Sequence, residues 1–355
     1  MSMEEITMIC AVYNMEKYIG ECLQSIADQT YSDFKLILID DCSTDDSLSI
    51  CRQFQNDHQD MDIEILVNET NLGVSGSWER AVLASNTPWI YIIDADDFVH
   101  PQLLEVGMTC VHLAEYADVD ILQTRIVENN SQSMSEYQWQ KVNCPPNIKL
   151  SKDGDTMSDY WSIMDGLGLG KSFIRKELFE TVDWQEYKRR WPRRFFNTGM
   201  FSYMLFHSAR RVGYIDEPVY IYRIRLNSTG RGLDRYDHLR DWAESDAEMI
   251  QNLLKWNEVE LAVRSSFGLM QQIMRLYYYM RKHRIQDQGE CAYLDEQYRT
   301  AYFRVRENGM KCSLVQRISY RVYYFNKNLW CMTMGNLYFG WRYRVCTHMR
   351  TKFSQ

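Results

Sequence analysis

Over its first hundred residues the chain switches repeatedly between two hydrophobic periods, and few folds allow that. Residues 6–12 form a short apolar run, the pattern of a strand covered on both faces. Tyr18, Ile19, Cys22, Leu23 and Ile26 then recur at helical spacing. Apolar runs return at 34–39, 63–67 and 89–93, separated by helical patterns at about 47–54 and 75–84 and followed by another after Pro101. Strands alternating with helices predict an α/β chain with a doubly wound, mostly parallel sheet. Ligands of such sheets bind outside the carboxyl ends of the strands. The loops after Val12, Ile39, Val67 and Ile93 are therefore where chemistry is expected.

Three of those four strand ends carry polar groups suited to a nucleotide sugar. Ala11-Val12-Tyr13-Asn14 closes the first, Asp40-Asp41-Cys42-Ser43-Thr44-Asp45-Asp46-Ser47 the second, and Asp94-Ala95-Asp96-Asp97 the fourth. Three carboxylates in four residues repel one another unless something compensates. A hard divalent cation such as Mg²⁺ or Mn²⁺ does so, because it prefers carboxylate oxygens and also takes phosphate oxygens. The plainer alternative is a solvated acidic turn at the start of the helix after Pro101. Asp41 could accept a hydrogen bond from a uracil ring nitrogen, and Tyr13 offers a ring for stacking. Against these stand a strand-end core aromatic for Tyr13, and helix capping for Asp45 and Ser47.

Taken together the motifs are more specific. Val12-Tyr13-Asn14, residues 39–47, Asn71-Leu72-Gly73 and residues 92–97 resemble the family 2 glycosyltransferases of bacteria. The resemblance is strong over residues 6–104 and resumes at 170–178 and 214–220. It implies a GT-A fold, here residues 1–240, with a nucleotide-sugar half (1–125) and an acceptor half (126–240). It also implies transfer with inversion from a nucleotide-sugar donor, usually UDP-linked. Ala11, Tyr13 and Asp41 would then contact the base, Asn71 would belong to the donor site, and Asp96 would lie by the ribose and metal. Asp96 or Asp97 would ligate Mn²⁺ or Mg²⁺, with Asp94 supporting the same loop.

Two positions break the pattern. An inverting transfer needs a base for the acceptor hydroxyl, and the Glu-Asp pair of similar proteins falls on Asn197 and Thr198. The histidine expected after Tyr222-Arg223 is replaced by Arg225. Asp165 is the substitute base expected here, with Asp183 and Glu186 behind it, and Arg225 is a candidate to hold the diphosphate. Gly166, Gly168 and Gly170 lack the GxGxxG spacing of a phosphate loop and read instead as a close-packed segment beside the acceptor pocket.

The remaining sequence bounds location and partners. Ten cysteines contain no CxxC pair and no zinc spacing, and Cys10, Cys22 and Cys51 sit in apolar patterns. That suggests free buried thiols in a reducing compartment, the cytoplasm. From 241 onwards the pattern is helical. Residues 313–355 hold seven basic and no acidic side chains, so the body carries −15 against a net charge of −8. An acidic body argues against nucleic acid as the main partner. The basic aromatic tail suits an anionic membrane face presenting a glycan or lipid-linked glycan acceptor, or else packs on the domain. Cell-surface polysaccharide or lipopolysaccharide synthesis is the expected setting. Two rivals are a catalytically silent relative serving as a scaffold, and a nucleotidyltransferase, which would want a basic, glycine-rich loop after the first strand.

Overall fold

The computed structural model describes residues 5–129, 133–152, 154–157, 159–160, 171–184, 198–224, 236–285 and 288–308. The chain divides into two compact units, Met1–Arg225 and Leu226–Gln355.

The first unit is built on a nine-stranded sheet. Its parallel part comprises β1 (Ile6–Val12), β2 (Phe34–Asp40), β3 (Asp62–Val67) and β4 (Trp89–Asp94), connected by α1 (Ile19–Ala27), α2 (Ser47–Asp57) and α3 (Gly73–Ala84). These match the apolar runs and helical periods of the sequence to within three residues at each end. In the sheet β1 lies between β2 and β4, so the winding reverses beside β1 and opens a crevice at its carboxyl end. Ala11 there pairs with Ile39 on one side and Asp94 on the other.

Beyond β4 the sheet changes character. A two-residue β5 (Phe98–Val99) and α4 (Leu103–Val111) lead into β6 (Ile121–Asn129), β7 (Ile148–Leu150) and β8 (Ser172–Arg175). A single-turn α5 (Lys176–Phe179) and α6 (Thr198–Ser208) then precede the long β9 (Val212–Arg223). Strand β8 runs antiparallel to both β4 and β6, whereas β9 is parallel to β6 and antiparallel to β5 and β7. Between β6 and β8 the described residues are mostly loop, with β7 as an added strand.

The core explains the arrangement. Met8, Cys10, Leu36, Leu38, Tyr91 and Ile93 point to one face of the sheet and meet Ile19, Cys22, Leu23 and Ile26 of α1 with Leu103 and Val106 of α4. Each such side chain contributes about 1.5–3 kcal/mol by leaving water. Helix α4 approaches β8 so closely that a Cβ at Gly107 would lie 1.9 Å from Phe173 Cζ. Below the crevice, the buried hydroxyls of Thr7, Ser85 and Thr87 bond one another at 2.8–3.1 Å, and Thr87 Oγ1 donates to Trp89 O.

The second unit contains α7 (Tyr236–Lys255), α8 (Val259–Lys282) and α9 (Gln288–Glu307), so the helical region opens at Tyr236, before residue 241. Leu253, Leu269, Met270, Ile273, Leu294 and Tyr298 are buried among them. Asn257 (φ 62°) ends α7, and Arg284 (φ 56°) ends α8. In both turns the amide after the left-handed residue reaches back five positions, Glu258 to Leu253 and Ile285 to Met280, closing the helix by the Schellman pattern. The described helices include none long and apolar enough to cross a membrane. Residues 313–355 lie outside the described part.

Candidate functional site

The crevice is lined by strand-end loops that are stitched to each other. After β1 the chain turns at Asn14 (φ 53°), and after β2 at Cys42 (φ 63°), left-handed conformations that cost non-glycine residues about 1–3 kcal/mol each and persist only where surroundings impose them. The stitching imposes them. Asn14 Oδ1 accepts from Thr44 N (2.8 Å), and Asn14 N donates to Ser43 Oγ (3.1 Å). Met15 N donates to Ser47 Oγ (2.7 Å), and Glu16 N to Asp45 Oδ2 (3.1 Å). Burial alone would raise the Asp45 pKa, but hydrogen bonds from Ser47 and from the Glu16 amide outweigh it and hold it below the usual range. The capping alternative does not hold for Asp45: the N-cap of α2 is Asp46, which makes no side-chain cap bond, and Asp45 instead accepts the Ser47 amide and hydroxyl in the turn ahead of the helix. Tyr13 stands at the rim, 40% exposed, with its ring accessible.

Asp41 is placed differently from a free ligand. Only 4% exposed, its carboxylate accepts from Leu72 N (2.7 Å) and Asn68 Nδ2 (2.8 Å) at Oδ1, and from Gly73 N (2.8 Å) at Oδ2. A carboxylate has about four acceptor positions, so three are taken inside the protein and one is left over. The charge also faces the first residue of α3, where it complements the helix dipole. Asn71 braces the same turn, donating from Nδ2 to Asp41 O (3.2 Å) and accepting from Gly73 N at Oδ1 (3.2 Å).

The acidic turn after β4 splits into an inner and an outer part. Asp97 is fully buried; Tyr220 Oη donates to its Oδ2 (2.6 Å) and Arg223 N to its Oδ1 (2.8 Å). Burial, and then the neighbouring Asp94 and Asp96 charges, push its pKa up to about 8. Asp94 keeps a 40% exposed side chain, and Lys171 Nζ lies 3.8 Å from its Oδ2. Asp96 is partly buried. Of the two residues expected to ligate a metal, Asp97 is therefore turned into the protein with both oxygens bonded, which leaves Asp96 with Asp94 at the outer part of the turn.

Among the described residues no three His, Cys, Asp or Glu side chains converge on one point. An all-protein cage is thus not what these residues offer. Two carboxylates at a strand end do fit Mg²⁺ or Mn²⁺ of the kind that is held by one or two carboxylates and shared with substrate phosphates.

The turn is backed by groups that periodicity did not single out. Arg223, 6% exposed, ion-pairs with Glu21, and its guanidinium lies 5.4 Å from the Tyr18 ring and 5.2 Å from the Phe98 ring. Tyr220 Oη accepts from Asp94 N (3.2 Å) while donating to Asp97. In the sequence Lys171 and Tyr220 fall within the stretches that resemble the family and Arg223 just beyond them, but nothing local ties any of the three to the acidic turn. Asp165, Glu186, Gly166, Gly168, Gly170, Asn197 and Arg225 lie outside the described residues. Asp183 is exposed in the segment after α5. Thr198 opens α6, a helix with no acidic residue in its sequence.

Comparison with known proteins agrees with this geometry. Residues 7–181 match the glycosyl transferase family 2 profile. The chain is 26% identical over 230 residues to the glycosyltransferase GlyG of Streptococcus pneumoniae, an alignment covering 64% of this chain and 73% of that protein. Among solved structures, S. aureus TarS in complex with UDP-GlcNAc superposes with a TM-score of 0.50 at 18% identity, covering 86% of this chain and 92% of that one. The mannosyltransferase PcManGT of Pyrobaculum calidifontis, in complex with GDP-Man and Mn²⁺, gives a TM-score of 0.50 at 13% identity, covering 94% and 87%. At such identities the two structures speak for the fold alone. Over residues 7–181 the chain carries a glycosyl transferase family 2 domain, built on the GT-A fold.

Proposed function

We propose that this chain transfers a sugar from a nucleoside diphosphate donor, UDP-linked, to a glycan acceptor of a cell-surface polysaccharide or lipopolysaccharide. The observation that carries the proposal is the convergence of Tyr13, the Asp41 turn and the Asp94–Asp96 carboxylates on one crevice of a family 2 domain. UDP-GlcNAc bound to TarS supports the choice of uridine, and the Mn²⁺ of PcManGT supports a divalent cation.

In this reading Tyr13 stacks on the base beside Ala11, whose small side chain leaves room, and Asp41 uses its remaining acceptor position for the ring N–H. Asn71 and Asp41 together hold the turn that closes the base pocket. Asp96, aided by Asp94, holds Mg²⁺ or Mn²⁺, which when bound offsets the charge of the departing diphosphate. Arg225 is assigned to the same diphosphate. Attack from the opposite face inverts the anomeric centre, and Asp165 is proposed to take the acceptor hydroxyl proton. The basic segment 313–355 is assigned to an anionic membrane face where a lipid-linked acceptor is presented, on the cytoplasmic side.

The test is release of UDP from a panel of UDP-sugars with Mn²⁺ and acceptor extract. Turnover by wild type that is lost in Asp96→Ala and reduced at least a hundredfold in Asp165→Asn is expected. The absence of acid from the pattern position at Asn197-Thr198 and from α6 favours one second reading, a silent scaffold relative. UDP binding without turnover of any donor would establish that reading and refute the first.

A further inference from the structure

The acidic turn after β4 places Asp94, Asp96 and Asp97 within four residues, with Asp97 fully buried. Carboxylates this close repel one another, and a protein cation beside them offsets part of that repulsion. Lys171 provides one, and its surroundings are built around that task. Its Nζ lies 3.8 Å from Asp94 Oδ2, 5.0 Å from the centre of the Tyr220 ring and 4.5 Å from that of Tyr222. Two ring faces thus hold the ammonium by cation–π attraction, and only 15% of the side chain is exposed.

The backbone is equally constrained. Lys171 N donates to Ile92 O on β4 (3.2 Å), while Lys171 O accepts from Thr124 N (2.8 Å) and Thr124 Oγ1 (2.7 Å) on β6. These bonds keep Lys171 at φ 80°, a conformation that suits glycine and costs lysine about 1–3 kcal/mol. A lysine in a glycine's conformation, with its charge caged against the acidic turn, points to a side chain that is needed there.

We infer that Lys171 is a positioning residue of the donor site: its ammonium is the resident counter-charge of the acidic turn, fixing the Asp94 carboxylate and setting how tightly a divalent cation is held beside it. The inference rests on the proposed function only in taking this turn as the cation site. Its sign is fixed by electrostatics. A lysine that offsets the charge of the turn repels an incoming cation, so the cation binds as the second counter-charge. Neutralising the lysine hands its share to the metal, and cation affinity rises.

The experiment is titration of the full-length protein with Mn²⁺, reading free ion by electron paramagnetic resonance, with and without UDP. Lys171→Met, which keeps the stem between the rings, is expected to bind Mn²⁺ roughly tenfold more tightly than wild type. Lys171→Arg, which keeps the charge, is expected to remain within about twofold of wild type. Lys171→Gln carries the same expectation as the methionine variant and replaces it if that variant does not fold. Unchanged or weaker Mn²⁺ binding in the neutral variants overturns the inference, as does an equal shift in the arginine variant, which would mark a packing effect. Failure of any form to bind Mn²⁺ overturns it too. Donor turnover by wild type is scored separately: its absence removes the proposed function, whereas the Mn²⁺ affinities judge Lys171 whether or not sugar is transferred.

Discussion

Asp41→Asn separates a residue that holds the loop from one that only waits for a base. Asparagine is isosteric, so packing is unchanged and the effect is confined to hydrogen bonds. Oδ1 accepts from both Leu72 N and Asn68 Nδ2, and Oδ2 from Gly73 N. The amide therefore places its NH₂ at the Oδ2 position, sacrificing one bond instead of two, and an N–H then faces the Gly73 N–H. Losing one hydrogen bond to a charged acceptor, with a buried donor left unpaired, costs about 1.5–3 kcal/mol. Removing a negative charge from the start of α3 adds about 0.3–1 kcal/mol. The expected loss is about 2–4 kcal/mol. Urea unfolding of the first unit reads the total, and amide hydrogen exchange at Gly73 reads the site, where protection should fall while Leu72 stays protected. A variant within about 0.5 kcal/mol of wild type, with Gly73 protection intact, would refute the assignment of Asp41 to the loop.

Two further perturbations test the packing and the second unit. Gly107→Ala places a Cβ 1.9 Å from Phe173 Cζ and 2.3 Å from both Cε atoms; the ring is fully buried, so the variant should lose about 1–3 kcal/mol or more in thermal melting, and Phe173→Leu in the same chain should restore part of it. In the second unit, burial raises the pKa of Asp246 to about 7. The native state then binds more protons than the unfolded one between about pH 4 and 7, so this group's contribution to stability is greatest below pH 4 and falls as pH rises through 7; Asp246→Asn should flatten that slope in denaturation curves recorded from pH 5 to 8.

The parallel half was legible because its information is local. The runs of β1, β2 and β4 are buried almost throughout, the edge strand β3 is a shorter run interrupted by Glu64, and all four are bounded by polar loop residues, so period and length together identify them. The rest was less legible: β8 is four residues long, β7 three and β5 two, below the length at which alternation can be recognised, and the longer β6 and β9 carry a strand pattern that does not announce its partners. Their pairings also join positions far apart, as when Ile90 of β4 meets Ile174 of β8. The same divide runs through the site. Tyr13, Asp41 and Asp94–Asp97 belong to strand ends that the sequence announces, whereas Lys171, Tyr220 and Arg223 reach the acidic turn only once β8 and β9 are laid beside β4 and β5.

That division also accounts for why adjacent aspartates were not separable from sequence. Asp96 and Asp97 have the same chemistry and neighbouring positions, so nothing local distinguishes ligand from scaffold. What distinguishes them is β9: the Arg223 amide and the Tyr220 hydroxyl each hold one oxygen of Asp97, and the side chain is fully buried beneath the outer part of the turn. Asp41 likewise gives three of its four acceptor positions to Asn68 and the start of α3. In both loops a carboxylate first builds the turn, and the specificity of the motif therefore reflects the demands of folding as much as those of the donor. A substitution at Asp97 should accordingly disturb the docking of β9 on β5, and one at Asp96 should leave it intact; exchange protection at the Arg223 amide would tell the two apart.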